Sequence, residues 1–157
     1  MKKFILILSI MIIILSINKK EMKEEEMIRF RIIANSNSEV DQATKRKVMK
    51  SISKTLLENT PTTKEEEKNY ILDKLPTFEE KIKETTDNYI INYGLNYFPK
   101  KEYNGKEYKA GEYESLVITL GEGKGDNFWC ILYPPLCVLD DEVEYKSFIK
   151  EALSKLF

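Results

Sequence analysis

The sequence predicts an α+β domain, a mostly antiparallel sheet with helices packed on one side, placed after an N-terminal signal or anchor segment. Three observations predict it. An apolar run broken only by Ser9 and Ser16 opens the chain behind Lys2 and Lys3. Helical apolar spacing dominates the first half, and alternating apolar residues with Gly and Pro punctuation dominate the second.

The opening segment has a basic start, an apolar middle from Phe4 to Ile17 and a charged exit from Lys19 to Glu26. That is the layout of an export signal. As a helix the run would be about 21 Å long, shorter than the ~30 Å hydrocarbon core, so retention as an anchor requires the flanking lysines to snorkel. No A-x-A site occurs; Ile14-Leu15-Ser16 is the best cleavage candidate, and cleavage and retention both stay open. The organisation is then a signal peptide or signal anchor over 1–18, a charged linker over 19–26 and one extracytoplasmic domain over 27–157. Membrane contact is expected only through the N-terminal segment.

Within the domain, Ile28, Phe30 and Ile32 alternate with Arg29 and Arg31, which marks a strand with one buried side. Asn35 to Ser38 is a turn cluster, and Ser38 or Asn37 can cap a helix beginning near Glu39. Val40, Ala43, Val48, Ile52 and Leu56 form its apolar stripe. Thr63-Lys64-Glu65-Glu66 is a capping-box pattern opening a second helix with Tyr70, Ile71 and Leu75 inward. Pro76 and Thr77-Phe78-Glu79-Glu80 suggest a third helix carrying Phe78, Ile82, Tyr89 and Tyr93, with Gly94 as its C-terminal cap.

Leu95 to Phe98 reads as a short aromatic strand, and Tyr103-Asn104-Gly105-Lys106 as a hairpin turn. Tyr113 to Leu120 and Phe128 to Tyr133 are strands, joined by the turn Gly121 to Gly125 and stopped by Pro134-Pro135. Asp140 or Asp141 can cap a last helix with Tyr145, Ile149, Ala152, Leu153 and Leu156 inward.

The composition removes whole classes of chemistry. There is no histidine, which excludes His-dependent nucleophile systems and His-ligated zinc, and two cysteines cannot complete a structural zinc site. The formal charge is −1, with no basic excess to hold nucleic acid. No catalytic residues, metal, cofactor or small-molecule substrate are expected. Gly121 to Gly125 lacks the Walker order, since Lys124 is followed by Gly125, Asp126 and a strand. Glu112 and Glu114 have no surrounding sugar site. Arg29, Arg31, Lys45, Arg46 and Lys47 are either a basic patch or the wet faces of a strand and a helix. Asn35, Asp41 and Gln42 read as a turn and capping network.

Phe128, Trp129, Tyr133, Pro134, Pro135 and Leu136 are the candidate partner-binding residues, because aromatics beside a double proline suit an interface anchor as well as a core. Alternation puts Phe128 and Trp129 on opposite faces. Cys130 and Cys137 would lie about 23 Å apart on a straight strand, so a bridge needs the chain to reverse at Pro134-Pro135. A disulfide and two buried thiols both fit.

Three ordered blocks carry a family resemblance. They are Ile33-Ala34-Asn35-Ser36 with Asp41-Gln42 and Lys45-Arg46-Lys47-Val48, then Ala110 to Leu116, then Gly121 to Cys137. Together they resemble the stage II sporulation protein R family of endospore-forming bacteria, over about Ile28 to Asp140. The family pattern carries two tryptophans where this chain has Phe128-Trp129. The resemblance implies a non-catalytic signalling protein, made in the forespore and exported to the space between the forespore and mother-cell membranes. There it would trigger a membrane-bound aspartic protease of the mother cell, which processes the pro-form of the early mother-cell sigma factor. An exported envelope component and an exported hydrolase are the alternatives.

Overall fold

The computed structural model describes residues 23–103 and 106–136. The expected export segment, the start of the linker, Asn104-Gly105, Cys137 and the expected last helix lie outside the described residues. The elements are β1 (Ile28–Ile33), α1 (Glu39–Leu57), α2 (Lys64–Lys83), β2 (Tyr89–Phe98), β3 (Lys101–Tyr103), β4 (Lys106–Tyr108), β5 (Gly111–Leu120) and β6 (Asn127–Tyr133), after a single 3-10 turn at Glu24–Glu26. The main sheet runs in the order β2-β5-β1-β6, and β3 and β4 form a separate hairpin. β5 pairs antiparallel with β2, and β1 pairs antiparallel with β6 and parallel with β5. The α+β class, with two helices on one face of a mostly antiparallel sheet, is as the sequence predicts.

Local chemistry accounts for the helix starts. The Ser38 hydroxyl accepts the Asp41 amide at 3.2 Å, and Thr63 accepts that of Glu66 at 3.2 Å. The Glu66 carboxylate completes the box one residue early, accepting the amide and hydroxyl of Thr62, both at 2.8 Å. α1 buries Val48, Met49, Ile52 and Leu56, whereas Val40, expected in the stripe, is 74% exposed in the first turn.

Two expectations in the middle of the chain are corrected. Pro76 does not divide two helices; α2 runs through it to Lys83. The proline sits on the exposed side, where the Leu72 carbonyl that loses its backbone donor can bond water. Ile71, Leu75, Phe78 and Ile82 keep one unbroken stripe against the core. The expected third helix beyond Lys83 is instead strand: Tyr89 to Phe98 is β2, paired along its whole length from Tyr89 opposite Leu120 to Phe98 opposite Gly111. β-branched and aromatic residues fit a pleated surface better than a helix, and Thr85 and Thr86 end α2 by bonding the Ile82 carbonyl.

The core between helices and sheet takes Ile28, Phe30 and Ile32 from β1, Leu116, Ile118 and Leu120 from β5, and Phe128, Cys130 and Leu132 from β6. The opposite face of the sheet is also covered. Met27, Tyr108, Trp129 and Ile131 form a second buried cluster there, with Leu136 packed against it.

Candidate functional site

Two constructions stand out, one on the back of the sheet and one at its end. The first follows from the strand alternation that turns Arg29 and Arg31 away from the helices. Arg29 is only 1% exposed, an expensive place for a charge without a partner. Its Nη2 meets Glu24 Oε2 at 2.8 Å, and its guanidinium carbon lies 3.3 Å from the centre of the Tyr113 ring. Phe98 and Tyr108 stand 5.4 and 5.5 Å away. These rings supply the cation–π contacts that a desolvated guanidinium favours. The Tyr113 hydroxyl can donate to the same Glu24 oxygen, at 3.1 Å, or to the Lys109 carbonyl, at 3.0 Å.

Arg31 lies one step along β1, beside Trp129 on β6, with its guanidinium carbon 4.6 Å from the centre of the Phe98 ring. The Lys101 ammonium sits 5.3 Å from the Trp129 ring centre. These groups, with Pro99 and Asn127, line a cleft of about 140 Å³. Burial lowers the pKa of both Arg31 and Lys101, because water no longer fully solvates either cation. Trp129 is 4% exposed and edge-on to Tyr108 at 5.6 Å.

The second construction joins the segment after β1 to the β5–β6 turn. Asn35 Oδ1 accepts the Glu122 amide at 2.9 Å, while its Nδ2 donates to Asp41 at 2.9 Å. The Lys124 and Gly125 amides reach the carbonyls of Asn35 and Ala34, and the Asp126 amide reaches Asn37 Oδ1 at 2.6 Å. Lys45 clamps the corner by donating to the Asp126 carbonyl at 2.8 Å. Donation from Ser36 and Asn35 holds the Asp41 carboxyl below its ordinary pKa. A polar cleft of about 200 Å³, lined by Asn35, Asp41, Thr44, Thr85, Thr86 and Asn88 among others, opens beside it. The turn amides are spent inside the protein and cannot cradle a phosphate. Asn35, Asp41 and Gln42 thus form the expected turn and capping network.

The residues singled out in the sequence do not share one surface. Phe128 packs in the helix-side core, 6.1 Å from Phe30, and Trp129 is buried on the other face. Tyr133, Pro134 and Leu136 are half-buried and Pro135 is exposed, so the accessible part of the segment is its proline turn. The Tyr133 hydroxyl donates to the Thr62 carbonyl at 3.3 Å. Cys130 lies in the core, and Cys137 is outside the described residues. Glu114 is tied to Lys64 at 2.7 Å and to the Tyr93 hydroxyl at 3.1 Å, while Glu112 is exposed. The basic residues divide between the back of the sheet (Arg29, Arg31), the turn (Lys45) and the exposed side of α1 (Arg46, Lys47).

Two features went unread in the sequence. Glu67, 2% exposed, is a buried carboxyl on the inner side of α2, bonded by Asn59 at 2.9 Å. The cover over Arg29, which includes β4, comes from far along the chain. Among the described residues, no group of acidic or cysteine side chains could hold a metal ion, and no helix is long and apolar enough to cross a membrane.

The comparisons with known proteins bear on the same stretch of chain. No solved structure matches it. The stage II sporulation protein R of Bacillus subtilis (strain 168) is 41% identical over 124 residues, covering 74% of this chain and 55% of that protein. The chain therefore spans little more than half the length of this relative. The family model described as stage II sporulation protein R matches residues 24–143, a stretch that holds both constructions. The chain belongs to the stage II sporulation protein R family, and its role is in sporulation.

Proposed function

We propose that this chain is a non-catalytic contact signal of endospore formation. It is made in the forespore and exported to the space between the forespore and mother-cell membranes. There it triggers a membrane-bound aspartic protease of the mother cell, which removes the pro-sequence from the early mother-cell sigma factor. The family match over residues 24–143 carries this reading. Two features of the sequence support it: the basic start and apolar run of the N-terminus, and a chain without histidine, which suits action by binding rather than turnover.

The test is co-expression of the full chain with the protease and its pro-sigma substrate in a host that does not sporulate. Processing is expected only when the chain and the protease are both present. Normal processing in sporulating cells that lack this chain would overturn the assignment, and turnover of peptide or glycan by the pure protein would overturn its non-catalytic part.

A further inference from the structure

Arg29 and Arg31 lie two residues apart on the same face of β1, yet they are treated differently. Arg29 has a carboxylate, that of Glu24, held at 2.8 Å within a frame of Tyr113, Phe98 and Tyr108. Arg31 shares one of these rings, Phe98, at 4.6 Å, but no carboxylate reaches it among the described residues. Its Nε is buried and unbonded, as is that of Arg29. Lys101 adds a second cation to the same cleft. Of the acids on the hairpin, Glu107 pairs with Lys100 at 2.7 Å and Glu102 is exposed, and neither lines the cleft. A half-buried guanidinium with a buried, unbonded Nε and no counter-charge carries a desolvation cost that an incoming anion relieves, and the exposed Lys101 ammonium beside it adds attraction for the same anion.

We propose that the cleft between Arg31, Lys101, Phe98 and Trp129 is a binding site for an aspartate or glutamate side chain on an acidic, partly apolar segment of a partner protein. Glu24 on Arg29 shows the mode of recognition within this same face: a peptide carboxylate on a guanidinium, walled by rings. The space, about 140 Å³, admits a carboxylate and part of its neighbour. Phe98, Pro99 and Trp129 give that neighbour an apolar wall, which favours a peptide over a free inorganic anion. This deepens the reading of a domain that acts by contact. Its test is direct binding, so its failure would leave the processing experiment standing.

Trp129 is the single tryptophan of the chain and forms one wall of the cleft, so its fluorescence reports occupancy. The full-length chain is titrated, at constant ionic strength, with the blocked peptide acetyl-Ala-Leu-Glu-Leu-Ala-amide, with its glutamine counterpart and with inorganic phosphate. A saturable change is expected with the glutamate peptide, with affinity at least about tenfold weaker for the glutamine peptide and for Arg31→Gln. Lys101→Gln, on an exposed residue that does not endanger folding, should weaken binding in the same direction. Equal binding of the two peptides, tighter binding of phosphate, no saturable response, or binding indifferent to Lys101→Gln would each overturn the proposal.

Discussion

Asn35 occupies the space that a side chain on Gly121 would need: a Cβ built there collides with Asn35 Oδ1. That oxygen is held in place by the Glu122 amide at 2.9 Å. Gly121 also has φ +55°, a left-handed conformation that disfavours any side chain.

Gly121→Ala should therefore destabilise the fold by roughly 2 kcal/mol or more, from backbone strain plus the collision. A double-mutant cycle with Asn35→Ala, read by denaturant unfolding, separates the two. The glycine substitution should cost measurably less in the Asn35→Ala background. Strict additivity would show that backbone strain alone is responsible.

Arg29→Lys should destabilise by about 2–3 kcal/mol despite keeping the charge. A lysine cannot lie flat on the Tyr113 ring while bonding Glu24. Glu24→Gln should cost less, because the glutamine amide oxygen still accepts from Arg29 Nη2 and the side chain at this position, 22% exposed, is itself reached by water. Chemical denaturation of both variants gives the ranking, and a reversed order would refute it.

Burial raises the Glu67 carboxyl above its ordinary pKa, although the bond from Asn59 pulls the other way. A carboxyl raised on folding contributes stability below its unfolded pKa, about 4.3, and loses that contribution as pH rises through the folded value. Glu67→Gln keeps an oxygen for Asn59 and carries no charge. Its thermal midpoint should exceed that of the wild type by a few degrees at neutral pH, with the difference closing toward pH 4. A difference independent of pH would point to packing instead.

Cys130 and Cys137 should be bridged in protein recovered from outside the cell. Intact mass after alkylation, with and without reduction, decides it. The bridge closes a short loop and contributes roughly 2–3 kcal/mol in the chain-entropy model. Two alkylated thiols without reduction would leave both residues as small core hydrophobes.

Export is checked with a reporter that is active only outside the membrane, fused after Glu26. It should be active with the native segment and silent when two charges are placed between Ile10 and Leu15, each costing about 2.5–3.5 kcal/mol on insertion scales. Activity that survives the charges would remove the export reading.

Much of the fold was legible because it is written locally. Ser38 and Thr63 cap the helices that their side chains announce, and the alternation of Leu116, Ile118 and Leu120 places them on the helix side of β5. The opposed burial of Phe128 and Trp129 follows from the same period of two. What was not legible depends on distant chain. Tyr89 and Tyr93 fit a helical spacing after Ile82, and only β5, arriving later, recruits them into a strand. Arg29 alternates with apolar residues as a solvated residue would, and the rings that bury it come from Phe98, Tyr108 and Tyr113.

The parallel pairing of β1 with β5 has a consequence for when this domain can form. β1 sits at the centre of the sheet, yet both of its neighbours are synthesised after everything else described: Arg29 meets Ser115 on one side and Ile131 on the other. The two helices and β2 cannot close a core around β1 alone, since half of the apolar sheet surface is still missing. Contacts this remote in sequence make folding slow and late. A chain exported in the order of its synthesis would stay an open thread until Tyr133 has passed through, and would fold only on the far side.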